Sequence, residues 1–314
     1  MFSQKVRYMT DIHLSKHPVF KKGTFHNHPD LLGRFHQDSH DHLQLKYNRM
    51  WQEMPQYEGI ITWPMVTGPG FQGATHPGAD TVFVEIMAGI NGYVYNSDCL
   101  YVNPAQKVFA ISDPPGITTG SRRLFERLDK ALKTSEDGLE KTVNRLSEQT
   151  RPEEGATLSL VYLPKNKPST AQLVIAGDTF LFHGNAERRT VRVVTGTHEF
   201  IGTPYASLEV QNVALGPGDF FLIASDGVLS LTGTDPERNL DRALCSHLDG
   251  NLSDFVHRVM LAANNYYRKK IYDRTFSRFG GNDNISLLLV YPEQLAKCDA
   301  ADSIILGGYI EERR

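Results

Sequence analysis

Apolar positions along this chain change their period several times, and each change marks an element. From about residue 57, short apolar runs bounded by turn residues predict β-strands: "EGIITWPMV" (58–66), "ADTVFVEIMAG" (79–89), "NGYVYNSDCLYVN" (91–103) and "KVFAISD" (107–113). The period then lengthens to that of helices. "SRRLFERLDKALK" sets Leu124, Phe125, Leu128 and Leu132 on one stripe, and "SEDGLEKTVNRLSEQ" does the same with Leu139, Val143 and Leu146. Strand patterns return in "GATLSLVYLP", "AQLVIAGDTFLFHG", "RTVRVVTGT", "LEVQNVAL" and "FFLIASDGVLSL". A helix is predicted over "SDFVHRVMLAANNYYRKK", with Phe255, Val256, Val259, Met260 and Ala263 on its apolar face, and "NISLLLVYP" is the last strand. Strands, a helix pair, more strands and one more helix do not make the regular βαβ alternation of a parallel sheet. They predict an α+β fold of antiparallel sheets covered by helices.

Residues 1–55 stand apart. They are polar and hold seven of the twelve histidines, in segments such as "FHNHPD" and "FHQDSHDHLQL". Their spacing fits neither one helix face nor a zinc finger, so a solvated arm is expected over a metal site. The expected division is 1–55 as a histidine-rich arm, 56–296 as one catalytic-type domain and 297–314 as a C-terminal tail.

Composition narrows the partners. With 40% apolar and 22% charged residues and a net charge of −3, neither nucleic acid nor membrane is expected as a partner. Three scattered cysteines form no disulfide framework, and no apolar run is long enough for a signal peptide or a membrane span, so a reducing, cytoplasmic setting is expected.

The candidate chemistry is carried by acids at strand ends. Asp113 closes "VFAIS", Asp226 closes "FFLIAS", Asp283 precedes "NISLLLV" and Asp80 precedes "TVFVEI". Singly, each is an ordinary turn aspartate. Together they suggest a cluster, and two carboxylates about 4 Å apart repel by roughly 4 kcal/mol at an effective dielectric near 20. A divalent cation removes that repulsion, and a purely oxygen-based donor set favours Mg²⁺ or Mn²⁺.

These segments, in this order, resemble the PP2C (PPM) family of metal-dependent serine/threonine phosphatases, from about Asp80 to Val290. "VFAISDPPG" stands at the family's strand ending in Asp-Gly-x-Gly-Gly, "EEGATLSLVYL" at its Gly-x-Thr strand and "QLVIAGDTFLFHG" at its Gly-Asp-Ser hairpin. "LGPGDFFLIASDGVLSL" and "GGNDNISLLLV" are similar to its Ser-Asp-Gly and Asp-Asn strands. The resemblance implies a four-layer α-β-β-α sandwich, two Mg²⁺ or Mn²⁺ ions and a phosphoprotein substrate hydrolysed by an activated water. It further implies Asp113 as the bridging ligand, the Pro114 carbonyl as a ligand, Asp226 and Asp283 on the second ion, and Asp80 as the acid of the family's Glu-Asp pair. Asp178 would be structural, and Asn284 would brace the loop of Asp283.

The departures from the pattern bear on activity. Asp-Gly-x-Gly-Gly reads Asp113-Pro114-Pro115-Gly116-Ile117, which fixes φ at both prolines. The family's phosphate-binding arginine is replaced by Thr75 beside His76, leaving His76, Arg122 and Arg123 as weak substrate-binding candidates. Glu153 and Glu154 stand where a third-metal acid is expected. Two readings follow: an active phosphatase, or a pseudophosphatase that uses the fold as a binding or regulatory module.

Overall fold

Strands that are apolar at every position, such as "FFLIA" and "ISLLLV", have both faces covered, and the computed structural model shows by what. It describes residues 13–14, 65–76, 93–116, 118–134, 138–197, 199–203, 208–231, 283–295 and 303–312, with the helical positions Leu244, Phe255, Val256, Val259 and Met260. The strands are β1 (His13–Leu14), β2 (Met65–Gly68), β3 (Phe71–His76), β4 (Tyr93–Asn103), β5 (Val108–Ser112), β6 (Leu158–Tyr162) and β7 (Thr170–Ala176). They continue with β8 (Phe180–Asn185), β9 (Thr190–Val194), β10 (Gln211–Ala214), β11 (Asp219–Ala224), β12 (Ile285–Val290) and β13 (Ile304–Glu312). Helices α1 (Gly120–Thr134) and α2 (Leu139–Gln149) follow β5.

Two sheets result, one in the order β1-β2-β3-β12-β11-β8-β9 and one in the order β10-β7-β6-β5-β4-β13. Neighbouring strands are antiparallel throughout. Alternation along β11 shows how they stack. Phe221 and Ile223 join Leu100, Phe109, Ile111 and Leu288 between the sheets. Phe220, Leu222 and Ala224 face outward onto the helical residues Phe255, Val256 and Met260. On the other side, Leu124, Phe125 and Leu128 of α1 and Val143 and Leu146 of α2 cover Tyr101, Ala110 and Leu160. The layers are α-β-β-α, as expected. Each fully buried Phe or Leu in them contributes on the order of 1.5–3 kcal/mol.

Three sequence expectations need correction or completion. "AQLVIAGDTFLFHG" is not a hairpin: β7 belongs to the second sheet and β8 to the first, so the chain crosses the sandwich at Gly177–Asp178. Phe71–His76, whose apolar pattern is interrupted by Gly73, is a strand that the pattern did not reveal. Residues 304–312, assigned to a tail, form β13 at the edge of the second sheet, paired along β4. "ADTVFVEIMAG" lies outside the described residues.

Candidate functional site

The β4–β5 hairpin brings the first two acids together. Its turn is set by Asn103, whose Oδ1 accepts from the Gln106 N–H (3.0 Å), and by the Lys107 N–H donating to the Pro104 carbonyl (3.2 Å). The register pairs Cys99 with Ser112, so one step further Asp98 lies across from Asp113. Cys99 faces the α1 layer and Leu100 the space between the sheets. Asp98 is fully buried.

Asp113 is held through its backbone. Its N–H donates to Thr157 Oγ1 and its carbonyl accepts from the Thr157 N–H, both at 2.8 Å. This gives the Gly155-Ala156-Thr157 segment a physical role: it clamps the acid at the end of β5. Asp226 and Asp283 arrive on the adjacent strands β11 and β12, tied where the Ser225 N–H meets the Ser286 carbonyl (3.0 Å). The Asn284 N–H donates to Asp283 Oδ1 (2.8 Å), while Asn284 Oδ1 accepts from the Ser97 N–H (2.7 Å). Asn284 therefore joins the Asp283 loop to β4 next to Asp98, the bracing expected of it. Gly227 lets the loops close, because a Cβ there would collide with the Asn284 carbonyl.

The four carboxylates sense one another. Burial pushes Asp98 up to about 7, with Asp283 and Asp226 adding to the rise. Asp113 is pushed far above the carboxylate range by burial first and then by Asp98, Asp226 and Asp283. Burial and Asp283 raise Asp226 to about 6, and burial also raises Asp283. The Asp113 and Asp226 carboxyls are close enough to interact directly, which adds to the rise at Asp113 and offsets part of it at Asp226. Asp178 is exposed at the crossover between the sheets and adds a like charge near Asp226 and Asp283.

Such a group of acids suits hard divalent cations. Both Asp98 oxygens and Asp226 Oδ1 are buried and meet no donor in hydrogen-bond geometry. The Ser225 hydroxyl is close enough to Asp98 to offset only part of its burial. Unpartnered carboxylate oxygens of this kind are costly unless a cation or proton meets them. Among the described residues, no three Asp, Glu, His or Cys side chains already stand in metal-ligand geometry. The fit therefore rests on the donor chemistry and on the orphaned oxygens.

Of the residues singled out in the sequence, Asp113, Asp226 and Asp283 are brought together. Asp80 lies outside the described residues, and the fourth acid of the cluster is Asp98, which sequence reasoning passed over. Its signal was the hairpin: a turn at Asn103–Lys107 places "NSD" opposite "ISD". Pro114 is buried beside Asp113. His76 is buried at the end of β3 opposite Ile285. Thr75, beside it, accepts from Asn96 Nδ2 (2.8 Å) and Ser286 Oγ (2.7 Å), a buried polar network in place of an arginine.

The helix arginines are also engaged elsewhere. Arg122 meets Glu126 (3.2 Å) and the Gly307 carbonyl (3.2 Å), while Arg123 (2.7 Å) and Arg127 (2.8 Å) share Glu154. Glu154, a candidate third-metal acid, is thereby an anchor for α1. Glu153 is exposed, 3.9 Å from Arg151.

Known proteins place this architecture. The family model of stage II sporulation protein E (SpoIIE) matches residues 116–279, just over half of the 314 residues. A mutated bacterial serine phosphatase has a similar structure, with 16% identity over 72% of this chain and 99% of its own, at a TM-score of 0.50. The PPM Ser-Thr phosphatase MsPP from Mycobacterium smegmatis, in complex with cacodylate, shows 17% identity over 70% of this chain and 97% of its own (TM-score 0.49). RsbX in complex with magnesium shows 12% identity over 73% and 98% (TM-score 0.47). At such identities these likenesses concern the fold alone. No curated protein matches the chain. By the extent of the family match, this chain belongs to the SpoIIE family, and the sandwich its residues build is the fold of the PP2C (PPM) phosphatases.

Proposed function

We propose that this chain is a divalent-metal-dependent phosphatase that hydrolyses phosphoserine or phosphothreonine in a protein. One observation carries the reading: Asp98, Asp113, Asp226 and Asp283, from four separate segments, converge in a cluster that is buried at Asp98 and opens to solvent at Asp283, and whose electrostatics oppose its own ionisation. A fold gains no stability from gathering acids in this way. The gain must come from what the acids hold.

Asp98, Asp113, Asp226 and Asp283, with the Pro114 carbonyl, would hold Mg²⁺ or Mn²⁺, and Asp80 stays a candidate through the family resemblance. When bound, such ions cancel the carboxylate charge, polarise phosphate oxygens and lower the pKa of water. The remaining work falls to the chain. Thr157 fixes the Asp113 backbone, Asn284 fixes the Asp283 loop against β4, and the Ser225–Ser286 tie holds Asp226 beside them. These contacts set the acids before substrate arrives, and preorganisation of this kind spares reorganisation during reaction.

A second reading has its own support. Arg122 and Arg123 are committed to Glu126, Gly307 and Glu154, and the loop after Asp113 carries two prolines. A pseudophosphatase would keep the cluster for binding and lack turnover. Hydrolysis of p-nitrophenyl phosphate and of a phosphothreonine peptide, with Mn²⁺, Mg²⁺ or EDTA, separates the two. Turnover that needs metal and disappears in Asp226→Ala supports the enzyme; Mn²⁺ binding without turnover supports the pseudophosphatase. Activity that persists in EDTA rejects both.

A further inference from the structure

The edge strand β13 touches the cluster at one defined place. Its pairing with β4 runs regularly from Ile304↔Val102 to Gly307↔Cys99 and resumes at Tyr309↔Asn96. Between those pairs, Ser97 and Asp98 of β4 oppose the single residue Gly308, which is a β-bulge in the acid-bearing strand. Bulges of this kind beside active sites re-aim a side chain and release backbone groups from the ladder. Here the Ser97 N–H is directed to Asn284 Oδ1 (2.7 Å), and Asp98, fully buried, lies across the β4–β5 hairpin from Asp113.

The partner strand is shaped for this bulge. Gly307 and Gly308 both have positive φ, +82° and +61°, which other residues rarely adopt. A Cβ on Gly307 would collide with the Asp98 carbonyl oxygen, and a Cβ on Gly308 would lie 2.6 Å from Arg122 Cβ and 3.1 Å from Cys99 Sγ. Arg122 then holds the Gly307 carbonyl from α1 (3.2 Å).

We propose that β13 positions the carboxylate cluster: Gly307 and Gly308 impose the Ser97–Asp98 bulge, which aims Asp98 and frees the Ser97 N–H for Asn284. The metal-holding site is thus completed by the C-terminal strand, and Gly307 is a positioning residue for Asp98. The metal-binding half of this inference rests on the function proposed above; the backbone half does not.

The test uses the full chain and two probes. Calorimetric titration with Mn²⁺ is expected to show at least about tenfold weaker binding in Gly307→Ala, the size typical of losing support to a ligand. In Ile304→Ala, which loosens β13 where Ile304 packs on the inter-sheet core, Mn²⁺ affinity is expected to stay as in the parent although stability falls. Hydrogen exchange at the Ser97 amide, followed without metal, is expected to quicken by about tenfold or more in Gly307→Ala and not in Ile304→Ala. Should Gly307→Ala not fold, Arg122→Ala removes the grip on the Gly307 carbonyl without adding an atom, and a smaller change of both probes in the same direction is expected. Unchanged Ser97 exchange in the folded variant, or equal losses of Mn²⁺ affinity in Gly307→Ala and Ile304→Ala, overturns the proposal. A parent chain that binds no Mn²⁺ refutes the metal-dependent function, and Ser97 exchange then decides the positioning role by itself.

Discussion

An aspartate stands at the start of strand β11 and another just past its end, and the two live in opposite electrostatic worlds. At the start of the strand, Asp219 is buried, yet its pKa is lowered. Its burial is outweighed by the Gly216 N–H (2.8 Å), by Asn185 and by His183 Nε2 at 3.3 Å. His183 Nε2 is poorly aligned for a hydrogen bond to Asp219, and burial lowers the His183 pKa, which favours the neutral ring. His183 is further fixed by stacking on Phe221 (4.9 Å) and by Arg192 at its Nδ1 (3.1 Å). Just past the other end, Asp226 faces Asp283 and Asp113, keeps one oxygen buried without a donor, and has its pKa raised. Both acids border the same apolar run, Phe220 to Ala224. The satisfied one secures a turn; the unsatisfied one is held in readiness for a cation. Burial alone does not separate a structural acid from a functional one, whereas the state of its partners does.

The largest expected effect breaks the contrast at its functional end. Asp226→Asn should lower metal-dependent turnover by on the order of a hundredfold or more, because charge stabilisation by bound metal is worth several kcal/mol. Thermal unfolding in EDTA should show the same variant at least as stable as the parent, since a like charge has gone. At the structural end, Asp219→Ala should cost about 1–3 kcal/mol by removing the acceptor of the Gly216 N–H and of Asn185 Nδ2. Denaturant unfolding measures that loss, and the Mn²⁺ affinity of the folded fraction should be retained.

The two ends should also answer pH in opposite ways. Asp98 and Asp226 are raised from 3.8 to about 7 and about 6 in the folded chain. The stability they contribute is complete below pH 3.8 and is lost as pH rises through those values. The metal-free chain should therefore lose melting temperature between about pH 4 and 7, and Mn²⁺ should restore most at the upper end. Asp219, with its lowered pKa, contributes above the ordinary carboxylate value and loses that contribution as pH falls through its folded value. In Asp219→Ala the acid-side loss should shrink. A metal-free melting profile that stays flat between pH 4 and 7 would contradict this account of the cluster. The smallest effect is expected from Arg123→Ala. Its ion pair with Glu154 is largely exposed on the arginine side and should be worth under about 1 kcal/mol, with KM unchanged. A marked rise in KM would return Arg123 to substrate binding.

How much of this was legible follows from the range of each interaction. Asp113, Asp226 and Asp283 were found because each ends or begins an apolar strand, a pattern contained within a few residues. The helices were visible for the same reason, in the stripes of Leu124 to Leu132 and Leu139 to Leu146. Asp98 was missed because it sits inside a strand, and only the hairpin register sets it against Asp113. The crossover at Asp178 resembled a hairpin because turn residues report a change of direction and not which sheet the next strand joins. The surroundings of His76 and Arg123 were not legible because burial and ion pairing depend on distant segments, Ile285 in one case and Glu154 in the other.

By itself, the sequence determined the periods of the strands and helices, the acids at strand ends and the family resemblance, since these depend on neighbours along the chain. The tertiary structure decided that Asp98 is the fourth acid, that Thr157 and Asn284 hold the cluster, and that residues 304–312 pack against it as a strand. Those outcomes depend on strand order and register, which are set by the burial of both sheet faces at once and not by any one segment.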